Sequence, residues 1–131
     1  MKGLRQFALG LLCGIVIPVL SAEPLPSYYL ILEDHLFFPS RLEVPAYTKF
    51  KLVIKNRDDT AEEFDSFDLN REKVIFPKRS SQLYVGPLEP GNYEFFGEFN
   101  SSTARGVIVA VEGKPATGTG EASMQEVDDA N

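Results

Sequence analysis

The stretch that most constrains this chain is Lys49-Phe50-Lys51-Leu52-Val53-Ile54-Lys55-Asn56. Phe50, Leu52 and Ile54 recur at every second position, with lysines among the residues between. That arrangement gives one apolar and one charged face only if the backbone is extended. A helix would scatter the same residues around its circumference. The segment is therefore expected to be a strand lying against a core. Similar strand signals recur at short intervals. Tyr28 to Leu32 is rich in Tyr, Leu and Ile. Leu42 and Val44 alternate with charges, and Leu83 and Val85 mark Ser80 to Val85. Tyr93 to Phe99 and the Val/Ile run from Gly106 to Val111 follow. Proline and glycine turns separate them, as in Gly86-Pro87-Leu88-Glu89-Pro90-Gly91. Short strands spaced this way predict an all-β sandwich. Two stretches fit the pattern less well. Glu62 to Asn70 mixes acids and aromatics and is expected to be a loop or broken strand lying over the sandwich. Arg71 to Phe76 is expected to open with one helical turn before Val74-Ile75-Phe76.

The amino terminus reads as a targeting segment. Lys2 and Arg5 precede the almost wholly apolar run Phe7 to Leu20, and Ser21-Ala22 offers small residues to a peptidase. The run is shorter than the roughly 20 residues that span a bilayer. A signal peptide, residues 1–22, is expected, cut after Ala22 or one residue earlier, and with it a periplasmic location. Leu12 directly before Cys13 is unsuited to lipoprotein processing, so no lipid anchor is expected. Cys13 is the only cysteine, and it leaves with this segment. The exported chain then has no thiol for a disulfide, a zinc-thiolate site or type 1 copper. Residues 23–112 are expected to form one domain. Residues 113–131 are rich in Gly, Ala, Thr, Ser and acids, and are expected to be a disordered acidic tail. Removing Lys2 and Arg5 from 13 basic residues leaves 11 against 19 acidic ones, a net charge near −8. Such a surface repels phosphate backbones, so nucleic acid is not an expected partner. It suits cations, or a partner with a basic face.

Gly91-x-Tyr93-x-Phe95-x-Gly97-x-x-Asn100-x-x-x-Ala104-x-Gly106 resembles the last strand, ligand loop and closing strand of cupredoxins. Those copper-carrying proteins have the pattern Gly-x-Tyr-x-Phe-x-Cys-x-x-His-x-x-x-Met-x-Gly. Phe38-Pro39-x-x-Leu42-x-Val44-Pro45 and Phe50-x-Leu52-x-Ile54-x-Asn56 resemble the second and third strands of that fold. The resemblance implies a Greek-key β-sandwich. It also implies that the ligand set is gone. Gly97, Asn100 and Ala104 stand at the cysteine, histidine and methionine places, and Glu62 stands at the upstream histidine place. A blue-copper centre needs a thiolate and two imidazoles. With no side chain at Gly97, Phe96 or Phe99 is expected to close the gap.

A narrower set of motifs is Glu62-Glu63-Phe64-x-Ser66-x-Asp68-Leu69, Arg71-Glu72-Lys73-Val74, Val85-Gly86-Pro87-Leu88 and Phe95-Phe96-Gly97-Glu98-Phe99. These resemble exported cupredoxin-like proteins associated with bacterial high-affinity iron-permease systems. That resemblance implies handling or oxidation of ferrous iron, with copper, before entry into the permease. The group usually has histidine where this chain has Asn100.

The acidic cluster Glu62, Glu63, Asp65 and Asp68, with Glu98 from the opposite strand, is the main candidate for chemistry. In a cupredoxin the loops after Asn56 and after position 97 meet at one end of the sandwich. This predicts Glu62 or Glu63 near Glu98 and Asn100. Carboxylates with an imidazole suit iron, manganese or oxidised copper. His35 is the only histidine, and so the only imidazole ligand on offer. The alternatives are a solvated acidic loop pairing with Arg71, Arg105 and Lys73, and an ordinary turn histidine. Tyr93, Phe95 and Gly97 share a face, which places Tyr93 in the core. The serines have no base near them in sequence, and no hydrolase signal is present. Two functions fit these residues. One is a periplasmic accessory of iron uptake that binds iron or copper through Glu62, Glu63, Glu98, Asp65 and His35 and passes iron to a membrane permease. The other is a metal-free module that docks on a membrane or periplasmic partner. At most the chain assists ferrous iron oxidation.

Overall fold

The structure, a computed structural model, describes residues 22–116 and, before them, only positions 3, 14, 15 and 17–19. Most of the expected signal peptide therefore lies outside the described residues, as does the expected tail beyond residue 116. Among the described residues no helix is long and apolar enough to cross a membrane.

Among the described residues nine strands follow one another: β1 Ser27–Glu33, β2 Leu36–Phe38, β3 Arg41–Pro45, β4 Phe50–Asn56, β5 Glu62–Ser66, β6 Arg71–Ile75, β7 Ser80–Val85, β8 Gly91–Gly97 and β9 Arg105–Val111. They form two sheets, a four-stranded one in the order β2-β1-β4-β7 and a five-stranded one in the order β3-β9-β8-β5-β6. The pairs β1–β4 and β3–β9 are parallel, and the other pairings are antiparallel. The chain changes sheets at both sides of the sandwich. On one side Pro39 and Ser40 carry it from β2 to β3. On the other, Arg71 Nε donates to the Tyr84 carbonyl at 3.2 Å and Ser81 Oγ to the Val74 carbonyl at 3.4 Å, which ties edge strand β6 to edge strand β7. The expected all-β sandwich is the fold observed.

Alternation sets the core. Phe50, Leu52 and Ile54 are fully buried between the sheets, as are Leu30, Leu32, Phe64 and Ile108. Phe37, Phe64 and Phe95 pack ring to ring, with centroids 5.2 to 6.2 Å apart. Burying a side chain of this size contributes about 1.5–3 kcal/mol, so these residues dominate the stability of the sandwich. Gly106 is required beside them, because a Cβ there would lie 2.3 Å from the Phe95 ring and 2.8 Å from the Ser40 carbonyl.

Two local expectations change. Glu62–Ser66 is a regular strand with Glu62, Phe64 and Ser66 buried. Its inward positions mix an acid, an aromatic ring and a hydroxyl while both outward positions are acids, which hid the period. Arg71–Ile75 is also a strand throughout, with no helical turn. It is an edge strand in which only Ile75 is buried. Pairing with β5 from Ser66↔Arg71 to Glu62↔Ile75 supplies the order that its own residues do not.

Candidate functional site

β1 and β4 run parallel and end at Glu33 and Asn56, while β8 ends at Gly97 and β5 begins at Glu62. Asn56 joins the two sheets at this rim. It is fully buried, and its Nδ2 donates to the Thr60 carbonyl at 2.8 Å and the Ile75 carbonyl at 3.1 Å. Its Oδ1 accepts from the Asp58 N–H at 2.9 Å. This fixes the 57–61 loop and delivers the chain to Glu62.

Glu62 sits in the middle of the rim, with 1% of its surface exposed. Its Oε1 accepts hydrogen bonds from the backbone N–H groups of Glu63 at 3.0 Å and Phe99 at 2.8 Å. Its Oε2 accepts from Asn100 Nδ2 at 2.7 Å. None of the ion pairs among the described residues includes it. The loop that meets it is held by its own bonds: Gly97 N–H donates to the Ala104 carbonyl at 2.8 Å, and Ala104 N–H to the Asn100 carbonyl at 2.9 Å. A Cβ on Gly97 would lie 2.5 Å from Glu62 Cδ, 2.8 Å from Oε2 and 2.8 Å from the Ala104 Cβ. The carboxylate therefore occupies the space next to Gly97 that a larger residue would claim. It is Glu62 that closes the gap there. The expected stoppers do not: Phe99 is 54% exposed, and Phe96 packs on Phe67 on the outer face of the five-stranded sheet.

The remaining candidates divide. Glu98 shares the rim with Glu62 and Asn100 but is exposed, in the single 3-10 turn Glu98–Asn100. Glu63 and Asp65 alternate with Glu62 along β5 and so lie on the opposite, outer face, where Asp65 stands directly across from Glu72. Asp68 accepts from the Glu94 N–H at 2.8 Å, away from the rim. His35 belongs to the β1–β2 turn, where it and Asp34 have positive φ values of 58° and 53°. Both of their N–H groups donate to the Asp58 carboxylate, at 3.0 and 2.7 Å, and the His35 Nδ1 lies 3.6 Å from Asp58 Oδ2. Among the described residues no three His, Cys, Asp or Glu side chains converge as a metal-binding group. The expected pairing of the acids with Arg71, Arg105 and Lys73 is also absent there. Arg71 bonds carbonyls, and Arg105 bonds the Ser101 carbonyl and lies over the Phe96 ring.

Chemically, the pocket is lined by N–H donors that point at an oxygen anion supplied from within. That is the reverse of a cation cradle, which presents lone pairs. Among the described residues it does not fit type 1 copper either, since no thiolate, imidazole or thioether reaches it there. The role of Glu62 had one sequence signal: a glutamate on the inward face of Glu62-x-Phe64-x-Ser66, with Gly97 and Ala104 small across from it.

The cupredoxin-like domain family matches residues 7–110. The chain belongs to that family. Its fold neighbours agree. Amicyanin from Paracoccus versutus superimposes with a TM-score of 0.52 at 11% identity, over 68% of this chain and 85% of that one. Auracyanin A from Chloroflexus aurantiacus, a blue copper protein, gives 0.59 at 10% identity, over 67% of this chain and 100% of that one. At such identity the likeness is one of fold. A sequence relative, the uncharacterized protein RP394 of Rickettsia prowazekii (strain Madrid E), is 49% identical over 80 residues, 61% of this chain. The match spans 64% of that relative's length. This cupredoxin-like domain thus keeps the family's sandwich, with Glu62, Gly97, Asn100 and Ala104 packed together at one rim.

Proposed function

We propose that this cupredoxin-like protein is a periplasmic accessory of iron uptake that acts by docking on a membrane permease or another periplasmic partner, with its former metal pocket closed by Glu62. The observation that carries this reading is that both oxygens of the Glu62 carboxylate are engaged, by three N–H donors between them. A ligand whose lone pairs face fixed donors is poorly placed to coordinate a cation. The motif resemblance to exported proteins of iron-permease systems supports the pathway, and the acidic surface supports transient attraction of ferrous iron. Phe67 and Phe99 are exposed and available to a partner, whereas Phe64 lies in the core. Phe99 is exposed at the rim, as are Phe76, which follows the Ile75 that pairs with Glu62, and Leu36. Deleting the gene is expected to reduce ferrous iron uptake under iron limitation several-fold, and Glu98→Gln is expected to leave uptake intact. Unchanged uptake in the deletion strain would overturn the proposal.

A second reading has one observation in its favour: Glu62, Glu98 and Asn100 do come together at one rim. In that reading Glu62 turns away from its donors and holds iron or oxidised copper with Glu98, then releases iron to the permease. Titration of the protein with ferrous and cupric ions separates the two. Binding tighter than about 100 µM that is lost in Glu62→Gln supports the metal reading, since surface carboxylates alone reach only about the millimolar to 100 µM range.

A further inference from the structure

The outer face of the four-stranded sheet carries a chemistry opposite to the rest of the molecule. Alternation along β1 and β4 sends Tyr29, Ile31, Lys51, Val53 and Lys55 outward. The register sets Ile31 between Phe38 and Lys55, and sets Tyr84 beside Lys51. Tyr29 and Leu36 are 40% exposed, Phe38 is 45% exposed and Tyr84 is 50% exposed. Lys49 Nζ lies 5.7 Å from the centre of the Tyr84 ring, which brings a third lysine to this face. The acid here, Glu33, lies 3.7 Å from Arg57. On the outer face of the five-stranded sheet the balance is reversed. Glu43, Glu63, Asp65, Glu72 and Glu94 stand there against Arg41, Arg105 and Lys114, which lies 3.5 Å from Glu43.

We propose that the outer face of the four-stranded sheet lies on an anionic phospholipid surface, with the lysines over the headgroups and the aromatic and aliphatic side chains at the interface. Three observations favour lipid as the occupant. The face is cationic on a protein that is acidic overall. Its apolar side chains form a stripe, Leu36, Phe38, Ile31, Tyr29 and Val53, flanked by Lys51 and Lys55, an arrangement that suits a layer with charged headgroups above an apolar interior. Tyrosines, amphipathic residues favoured at membrane interfaces, sit at two of its positions. The acidic outer face of the other sheet is then turned to the periplasm. This surface is distinct from the Glu62 rim. Loss of vesicle binding with iron uptake intact overturns this inference alone.

The test is flotation with vesicles of phosphatidylcholine with and without about one-third phosphatidylglycerol. Every buried core side chain lies between Tyr28 and Ala110, so a chain starting at Glu23 holds the whole sandwich and is free of the apolar leader. Three lysines predict roughly a hundredfold preference for the anionic vesicles, lost at high salt. Lys51→Glu with Lys55→Glu is expected to cut binding at least about tenfold. Lys51→Gln with Lys55→Gln gives a milder loss, and Glu63→Gln with Glu72→Gln on the opposite face gives none. The chain has no tryptophan, so Tyr29→Trp adds a unique reporter whose emission shifts to the blue on anionic vesicles. Equal binding to both vesicles, no binding to either, or binding indifferent to salt and to Lys51 and Lys55 overturns the proposal. So does lysine-dependent self-association without lipid, which would assign the face to a second copy.

Discussion

Replacing Glu62 by alanine tests the closed pocket most directly. The substitution leaves three donors facing empty space: the N–H groups of Glu63 and Phe99 and the Asn100 amide. A buried donor without a partner costs about 1–3 kcal/mol, which bounds the loss at about 3–9 kcal/mol. Phe99 is exposed and Asn100 half-buried, so water reaches part of the gap and a loss of about 3–4 kcal/mol is expected. Glu62→Gln should be far milder, within about 1.5 kcal/mol. Its carbonyl oxygen keeps the two backbone donors, and a flipped Asn100 amide offers its oxygen to the new NH2 group. Formate should enter the alanine variant as a replacement anion. At 100 times its dissociation constant it restores about 2.7 kcal/mol. Urea unfolding with and without formate, read by circular dichroism, measures all three quantities. A loss below about 1 kcal/mol in Glu62→Ala, or an equal loss in Glu62→Gln, would refute the reasoning, because either result means that the three hydrogen bonds do not hold this rim.

Four other outcomes are expected. Gly97→Ala should cost about 1–3 kcal/mol from overlap with the carboxylate and Ala104; in a urea double-mutant cycle with Glu62→Ala the two losses should fall short of additive by at least about 0.5 kcal/mol. Tyr28 buries a hydroxyl with no hydrogen-bond partner among the described residues, and burial raises its pKa above 10.0. The unfolded phenol ionises first, so stability should decline as pH climbs past about 10 towards the folded value. Tyr28→Phe should remove that decline and raise stability by up to about 1 kcal/mol at neutral pH, both measurable by thermal melts. Asp58→Ala should cost about 1–3 kcal/mol by freeing the Asp34 and His35 N–H groups, and the His35 proton resonances should broaden or shift. Cupric ion added to the chain from Glu23 onward should give no intense blue absorption, because that segment has no cysteine to donate charge to it; a blue product would contradict the ligand assignments.

Much of the sandwich was legible in the chain because a strand with one wet face writes its period directly into the residues. Phe50, Leu52 and Ile54 did so without ambiguity, as did Leu42 with Val44. β5 and β6 were not legible. The inward positions of β5 include Glu62 and Ser66, whose polarity is satisfied largely by groups far along the chain: Ser66 Oγ donates to the Glu94 carbonyl, and Glu62 accepts from Phe99 and Asn100 as well as from its neighbour Glu63. β6 has one buried residue and takes its extended form from the β5 ladder. The gathering of Glu62, Glu98 and Asn100 at one rim followed from the motif resemblance, but the direction of each side chain did not.

The sequence by itself determined the fold class, the absence of blue-copper ligands at Glu62, Gly97, Asn100 and Ala104, and the acidic balance, since these depend on residue type and local period. The tertiary structure alone decided what became of the emptied pocket. It set Glu62 and Gly97, 35 positions apart in the chain, within contact distance, and it turned Glu63 and Asp65 to the other face of the same strand. The physical reason is that a hydrogen bond or a steric overlap depends on distances of a few tenths of an ångström, and only the packing of the two sheets fixes those.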